Sequence, residues 1–163
     1  MIPYSLIAAL VFTQMSEDQQ TASETAALEP LKVAMVVGYN HSDTAETPSL
    51  RYADDDAIAT HRMLQSAGVE STLLVDPDDD TRRMQHDLEQ FSPPTFENVV
   101  GTFERLNSEI EAANQSGRQT QFYFFYSGHG GLEDGEGYIV LHNGRLDRGT
   151  LHARILERSK ATH

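Results

Sequence analysis

The sequence contains no cysteine. A disulfide framework is thereby excluded, a thiol nucleophile is missing from these residues, and the absence by itself assigns no redox compartment. Basic residues are also scarce, with 12 Lys and Arg against 25 Asp and Glu and a formal net charge of −13. With no Lys/Arg cluster to offset the acids, nucleic acid and anionic membrane surfaces are poor partners. The longest leading apolar run, Met1 to Phe12, is too short to span a bilayer. There is no internal repeat, no G-x-G-x-x-G, no P-loop and no G-x-S-x-G elbow, so nucleotide cradling and serine-hydrolase chemistry lack their usual frames.

What is present centres on Phe122-Tyr123-Phe124-Phe125-Tyr126-Ser127-Gly128-His129-Gly130-Gly131. Five consecutive aromatic residues predict a strand buried on both faces, and three glycines around one histidine predict a sharp turn at its end. In an open parallel sheet the crevice beyond the C-terminal strand ends is where ligands bind. An imidazole held there is placed for chemistry, although a lone loop histidine also serves as a surface residue or hydrogen-bonded spacer.

Along the chain, Met1 to Phe12 reads as the apolar part of a secretory signal, without a preceding Lys or Arg and with only a weak small-residue cleavage site near Ala22-Ser23. Export or periplasmic residence depends on that segment. Ser16 to Pro30 is polar and reads as a flexible leader, so residues 1–30 precede a domain covering 31–163. Leu31 to Gly38 predicts a central parallel strand, and Tyr39 to Ser49 a loop above the sheet. Ala53, Ala57, Leu64 and Ala67 recur at helical spacing up to Gly68, and Ser71 to Asp76 predicts a second strand. Pro77 to Pro94 reads as a hydrophilic connection whose Asp78-Asp79-Asp80 is a solvated turn and not a metal site. Thr95 caps a helix with its stripe on Phe96, Val99, Val100, Phe103, Leu106, Ile110 and Ala113. After the histidine, Gly135 to Leu141 and Asn143-Gly144 predict a small hairpin, and Asp147 caps a short helix, Gly149 to Arg158. The alternation implies right-handed crossovers and a mainly parallel sheet with helices on its faces.

An aromatic strand running into Ser127-Gly128-His129-Gly130 resembles the histidine motif of the caspase-like cysteine peptidases, most closely the bacterial metacaspase type. The resemblance covers roughly residues 31 to 158. It implies a three-layer α/β sandwich, incomplete here, with the first three core strands and a small hairpin. It also implies a cysteine-type endopeptidase with a Cys-His dyad and a polypeptide substrate. His129 matches the proton-transfer histidine, and Gly130 the position whose N–H joins that of the cysteine in the oxyanion hole. Reading Leu50 to Ala57 against the metacaspase pattern, Asp56 falls on the acid that lines the pocket for a basic P1 side chain, and Ser127 on a second pocket residue. Ala53 replaces a cysteine often found there. Asp54, Asp55 and Asp56 equally suit the start of a helix through its dipole. Arg51 lies one residue beyond the pocket arginine of animal caspases, so cleavage after Arg or Lys is favoured over cleavage after Asp.

Glu133, Asp134 and Glu136 are similar to the calcium-responsive loops of some metacaspases, but their spacing transfers no ligand set, and no cofactor is assigned. The family's nucleophile lies on the next strand, in Asp-Ala-Cys or a close variant. The expectation is therefore a peptidase domain cut by gene model or processing before that strand, leaving Phe122 to Tyr126 as an unpaired apolar edge prone to association. A cysteine-free scaffold or binding module is the alternative.

Overall fold

A computed structural model describes residues 28–85 and 91–163 of the chain. The leader and its signal-like run therefore lie almost wholly outside the described residues. Among those described, no helix is long and apolar enough to cross a membrane.

Strand β1, Leu31–Tyr39, is the axis of the molecule, pairing in parallel with β2, Glu70–Val75, on one side and β3, Thr120–Gly128, on the other. The unbroken apolar run after Lys32, residues 33–38, follows from having both faces covered. Val33, Met35 and Val37 face helix α3, Phe96–Gln115, and join Val99, Phe103, Leu106 and Ile110 in the main core. Ala34 and Val36 face the other way, toward Ala57 and Leu64 of α1, Ala53–Ser66. The result is a three-layer α/β sandwich with sheet order β2-β1-β3. Gly38 lets α1 sit close, since a Cβ there would lie 2.5 Å from that of Ala57 and 2.8 Å from the Ala53 carbonyl. Thr95 caps α3 as the sequence predicts, accepting from the Asn98 amide at 3.1 Å.

Several expectations are corrected. The aromatic strand is not buried on both faces. Phe122, Phe124 and Tyr126 pack into the α3 layer, but Tyr123 and Phe125 stay 37% and 36% exposed because β3 is an edge strand and α1 lies chiefly over β1 and β2. The second strand starts at Glu70 and ends at Val75. The hydrophilic connection holds a helix, α2, Asp79–Met84, and its acids have positions in it: Asp78 is the N-cap, accepting from the Thr81 amide at 2.8 Å, while Asp79 and Asp80 occupy the first turn.

The hairpin is a three-stranded antiparallel sheet of β4, Gly130–Glu133, β5, Glu136–Leu141, and β6, Gly144–Asp147. The extra strand, β4, begins directly after His129. Asp147 does cap the last helix, but α4 is only Arg148–Leu151 and gives way to a π-helical turn, His152–Leu156. The β5–β6 turn braces the small sheet against the body. The His142 amide donates to Pro94 O at 3.0 Å, Asn143 Oδ1 accepts from the Phe96 amide at 2.9 Å, and its Nδ2 donates to Glu97 at 2.8 Å.

Between α1 and β2, His61 is buried with Nδ1 2.9 Å from Ser71 Oγ. Burial, then the nearby Arg62, hold its pKa below the ordinary 6.5. A histidine depressed in the folded state contributes fully above its unfolded pKa and loses that contribution as the pH falls below it. Urea midpoints are therefore expected to drop between about pH 6.5 and 5, with a flatter profile for His61→Gln. Equal slopes for the two proteins in that range would contradict the assignment.

Candidate active site

All three parallel strands end on the same side of the molecule, and the loop after each contributes a polar group. After β1, Asn40 is buried and its Oδ1 accepts the Ala53 and Asp54 amides at 2.8 and 3.3 Å. It thereby caps α1, whose own N-cap residue Tyr52 makes no side-chain bond. Asp54 is wholly buried, taking the amides of Asp55 and Asp78 at 2.9 Å each, and so ties α1 to the start of α2. Asp55 is pushed above the usual carboxylate range by burial and then by the Asp54 charge, against a hydrogen bond from the Thr81 hydroxyl at 3.3 Å. It lines a cleft of about 590 Å³ with Arg51, Tyr52, Asp78, Thr81 and Met84.

After β2, Asp76 accepts from Arg82 Nη2 and from His142 Nδ1, both at 3.1 Å. Asp76, Arg82, His142, Phe91 and Ser92 line a second cleft of about 610 Å³.

The turn after β3 carries His129, half-buried, with Nε2 3.1 Å from the Pro48 carbonyl oxygen. A carbonyl can only accept, so Nε2 holds the hydrogen and Nδ1 is left as the basic atom. The ring is thereby oriented by a loop segment. The His129 carbonyl is held as well, accepting from the Val140 amide at 2.9 Å and the Tyr126 hydroxyl at 2.7 Å. That Val140 bond makes 129 and 140 a hydrogen-bonded position of the β4–β5 ladder. At Gly130, paired with Ile139 one step on, the amide is then directed away from β5. A Cβ on Gly130 would lie 2.7 Å from the Tyr138 carbonyl, which accounts for the glycine.

Ser127, His129 and Gly130 are thus gathered at one strand tip. Ser127 lies opposite Gly38, against which α1 is seated, and Asp56 is on that helix in its first turn. Asp56 is exposed; the fully buried acid of the run is Asp54. Arg51 lies in the α1–α2 cleft. Glu133 pairs with Arg145, and Glu136 accepts from the Gly149 amide at 2.9 Å. Sequence reasoning missed Pro48, which acts through its backbone and leaves no residue-type signal. It also missed the Tyr126 hydroxyl, for which a Tyr two residues on from Phe124, on the same face as Phe122 and Phe124, was an available sign, since a buried phenol needs a partner.

A parallel sheet flanked by helices, with an oriented histidine at a strand tip and a glycine amide turned outward beside it, defines an α/β domain with a candidate site beyond its C-terminal strand ends. The chain belongs to the caspase domain family, whose model matches residues 31–155. No curated protein matches it. The family's activity is that of cysteine peptidases acting on polypeptides, whereas these 163 residues contain no cysteine.

Proposed function

We propose that this chain carries the histidine half of a caspase-like, metacaspase-type cysteine endopeptidase domain beginning at Leu31, and that the thiol is supplied by a segment outside residues 1–163. The observation that carries it is the Pro48 carbonyl fixing His129 with Nδ1 as the free base. His129 takes the thiol proton at Nδ1 and returns it to the leaving amine, and the outward Gly130 amide donates to the oxyanion. The rim of β3 supports a place for the missing strand. The His163 amide donates to Thr120 O and the Phe122 amide to His163 O, both at 3.2 Å, which are the two bonds of one parallel rung with His163 opposite Gln121. A strand continuing in that register reaches the level of Gly128 after about seven residues.

Asp56 and Ser127 are read as the groups that meet a P1 Arg or Lys. Because Asp56 is exposed, its pairing forms when substrate covers it. Asp56→Ala is expected to lower kcat/KM for P1 Arg or Lys substrates about ten-fold or more with little change in melting temperature. Profiling against a peptide library, using the chain extended by the coding sequence that follows His163, checks this. A preference for P1 Asp would overturn the assignment and turn attention to Arg51. The absence of cysteine from these residues favours a second reading, a catalytically inactive scaffold. A natural stop codon directly after His163 in an intact gene would select it.

A further inference from the structure

We propose that Tyr126 is a positioning residue for His129, acting through the histidine's backbone and forming one unit with Gly128. The proposal rests on the reading of His129 as the proton-transfer group. The Tyr126 hydroxyl lies 2.7 Å from two carbonyl oxygens, those of His129 and Val140, and 3.2 Å from the Val140 amide. A phenol has one proton to donate and lone pairs to accept with, so this group shares its proton between the two carbonyls while accepting the amide. It thereby closes a three-way joint between the end of β3, the turn carrying His129 and the middle of β5.

Burial pushes the Tyr126 pKa up to about 12, so it remains a donor throughout the working range of a histidine. Gly128 exists to admit this contact. A Cβ at that position would fall on the Tyr126 hydroxyl, 2.7 Å from its Cζ and 2.9 Å from the Tyr39 carbonyl. The phenol therefore reaches the carbonyl of His129 by passing beneath the glycine that precedes it. A Phe at 126 would fill the same core space and leave the His129 carbonyl with the Val140 amide alone. The ring would then be free to pivot away from Pro48 O, and its tautomer would no longer be set by one acceptor.

Imidazole nitrogen NMR on the full chain tests this without requiring hydrolysis. In the wild type, neutral His129 is expected as the Nε2–H form, and the Tyr126 hydroxyl proton is expected in slow exchange with a cross-peak to the Val140 amide. In Tyr126→Phe the bias toward that tautomer should fall roughly five-fold, the weight of one hydrogen bond. Tyr138→Phe removes a nearby phenol for which no bond to His129 occurs, and should leave the bias unchanged. A folded Tyr126→Phe with wild-type His129 signals overturns the proposal and leaves the peptidase reading untouched. Absence of the slowly exchanging hydroxyl proton from the wild type overturns it without any substitution, should the variant fail to fold. A lost bias in Tyr126→Phe, together with a wild-type chain that stays inactive when the cysteine segment is supplied, supports the positioning role and counts against the peptidase reading alone.

Discussion

With the cysteine-bearing segment supplied, His129→Ala is expected to lower kcat by about 10² to 10⁴-fold while leaving KM nearly unchanged, the range a positioned general acid–base contributes. The side chain is half-buried at a strand tip and makes its one polar contact with a loop carbonyl, so its removal should cost the sheet little. Steady-state kinetics on a basic peptide substrate, with melting curves of both proteins, checks the split. An unchanged kcat would sink the assignment of His129, and a rise in KM alone would make it a substrate-binding residue. The 163-residue chain by itself is expected to show no hydrolysis, because an imidazole acting on water lacks the covalent intermediate that divides the reaction.

The largest effect on stability is expected from Phe103→Ala, at about 3 to 5 kcal/mol. Phe103 is 1% exposed at the centre of the main core, and its ring meets that of Phe122 edge-on at 5.7 Å between centroids. Truncation removes the transfer energy of the ring and leaves a void that neighbours from two elements cannot fill together. Chemical unfolding gives the number directly. A cost under about 1 kcal/mol would mean that β3 slides into the space. In that event the position of His129 would shift too, and the kinetic and stability defects would appear together.

The parts that the chain itself disclosed are those in which one periodicity persists long enough to be unambiguous. The stripe from Phe96 to Ala113 spans five helical turns, and the strand from Leu31 to Gly38 is apolar on both faces beyond Lys32 because it is the middle strand. Helix α2 escaped notice because six residues make fewer than two turns. Its start signal, an Asp cap followed by two acids, looks the same as a solvated acidic turn until Thr81 is seen bonded to Asp78. The faces of β3 were misjudged because a run of five aromatic residues carries no alternation, and only the sheet order shows that one side lacks a covering helix. At the candidate site, His129 and Gly130 are the residues that type and spacing single out. Pro48 could not, since it contributes a peptide oxygen that any residue would bring.

The β5–β6 turn sets limits on how this molecule can be lengthened. His142 and Asn143, two adjacent residues, reach three separate parts of the body, namely the end of β2, the loop before α3 and the first turn of α3. One added residue there would slip the strand register and turn each side chain to the wrong face, releasing all three ties at once. The tip between β4 and β5 is the opposite case. Asp134 and Gly135 both take positive φ, and nothing lies within 4 Å of a Cβ built on Gly135. A tag or reporter loop can be spliced into the small sheet at that tip, while the other end of the same sheet, two residues wide, has no slack in it.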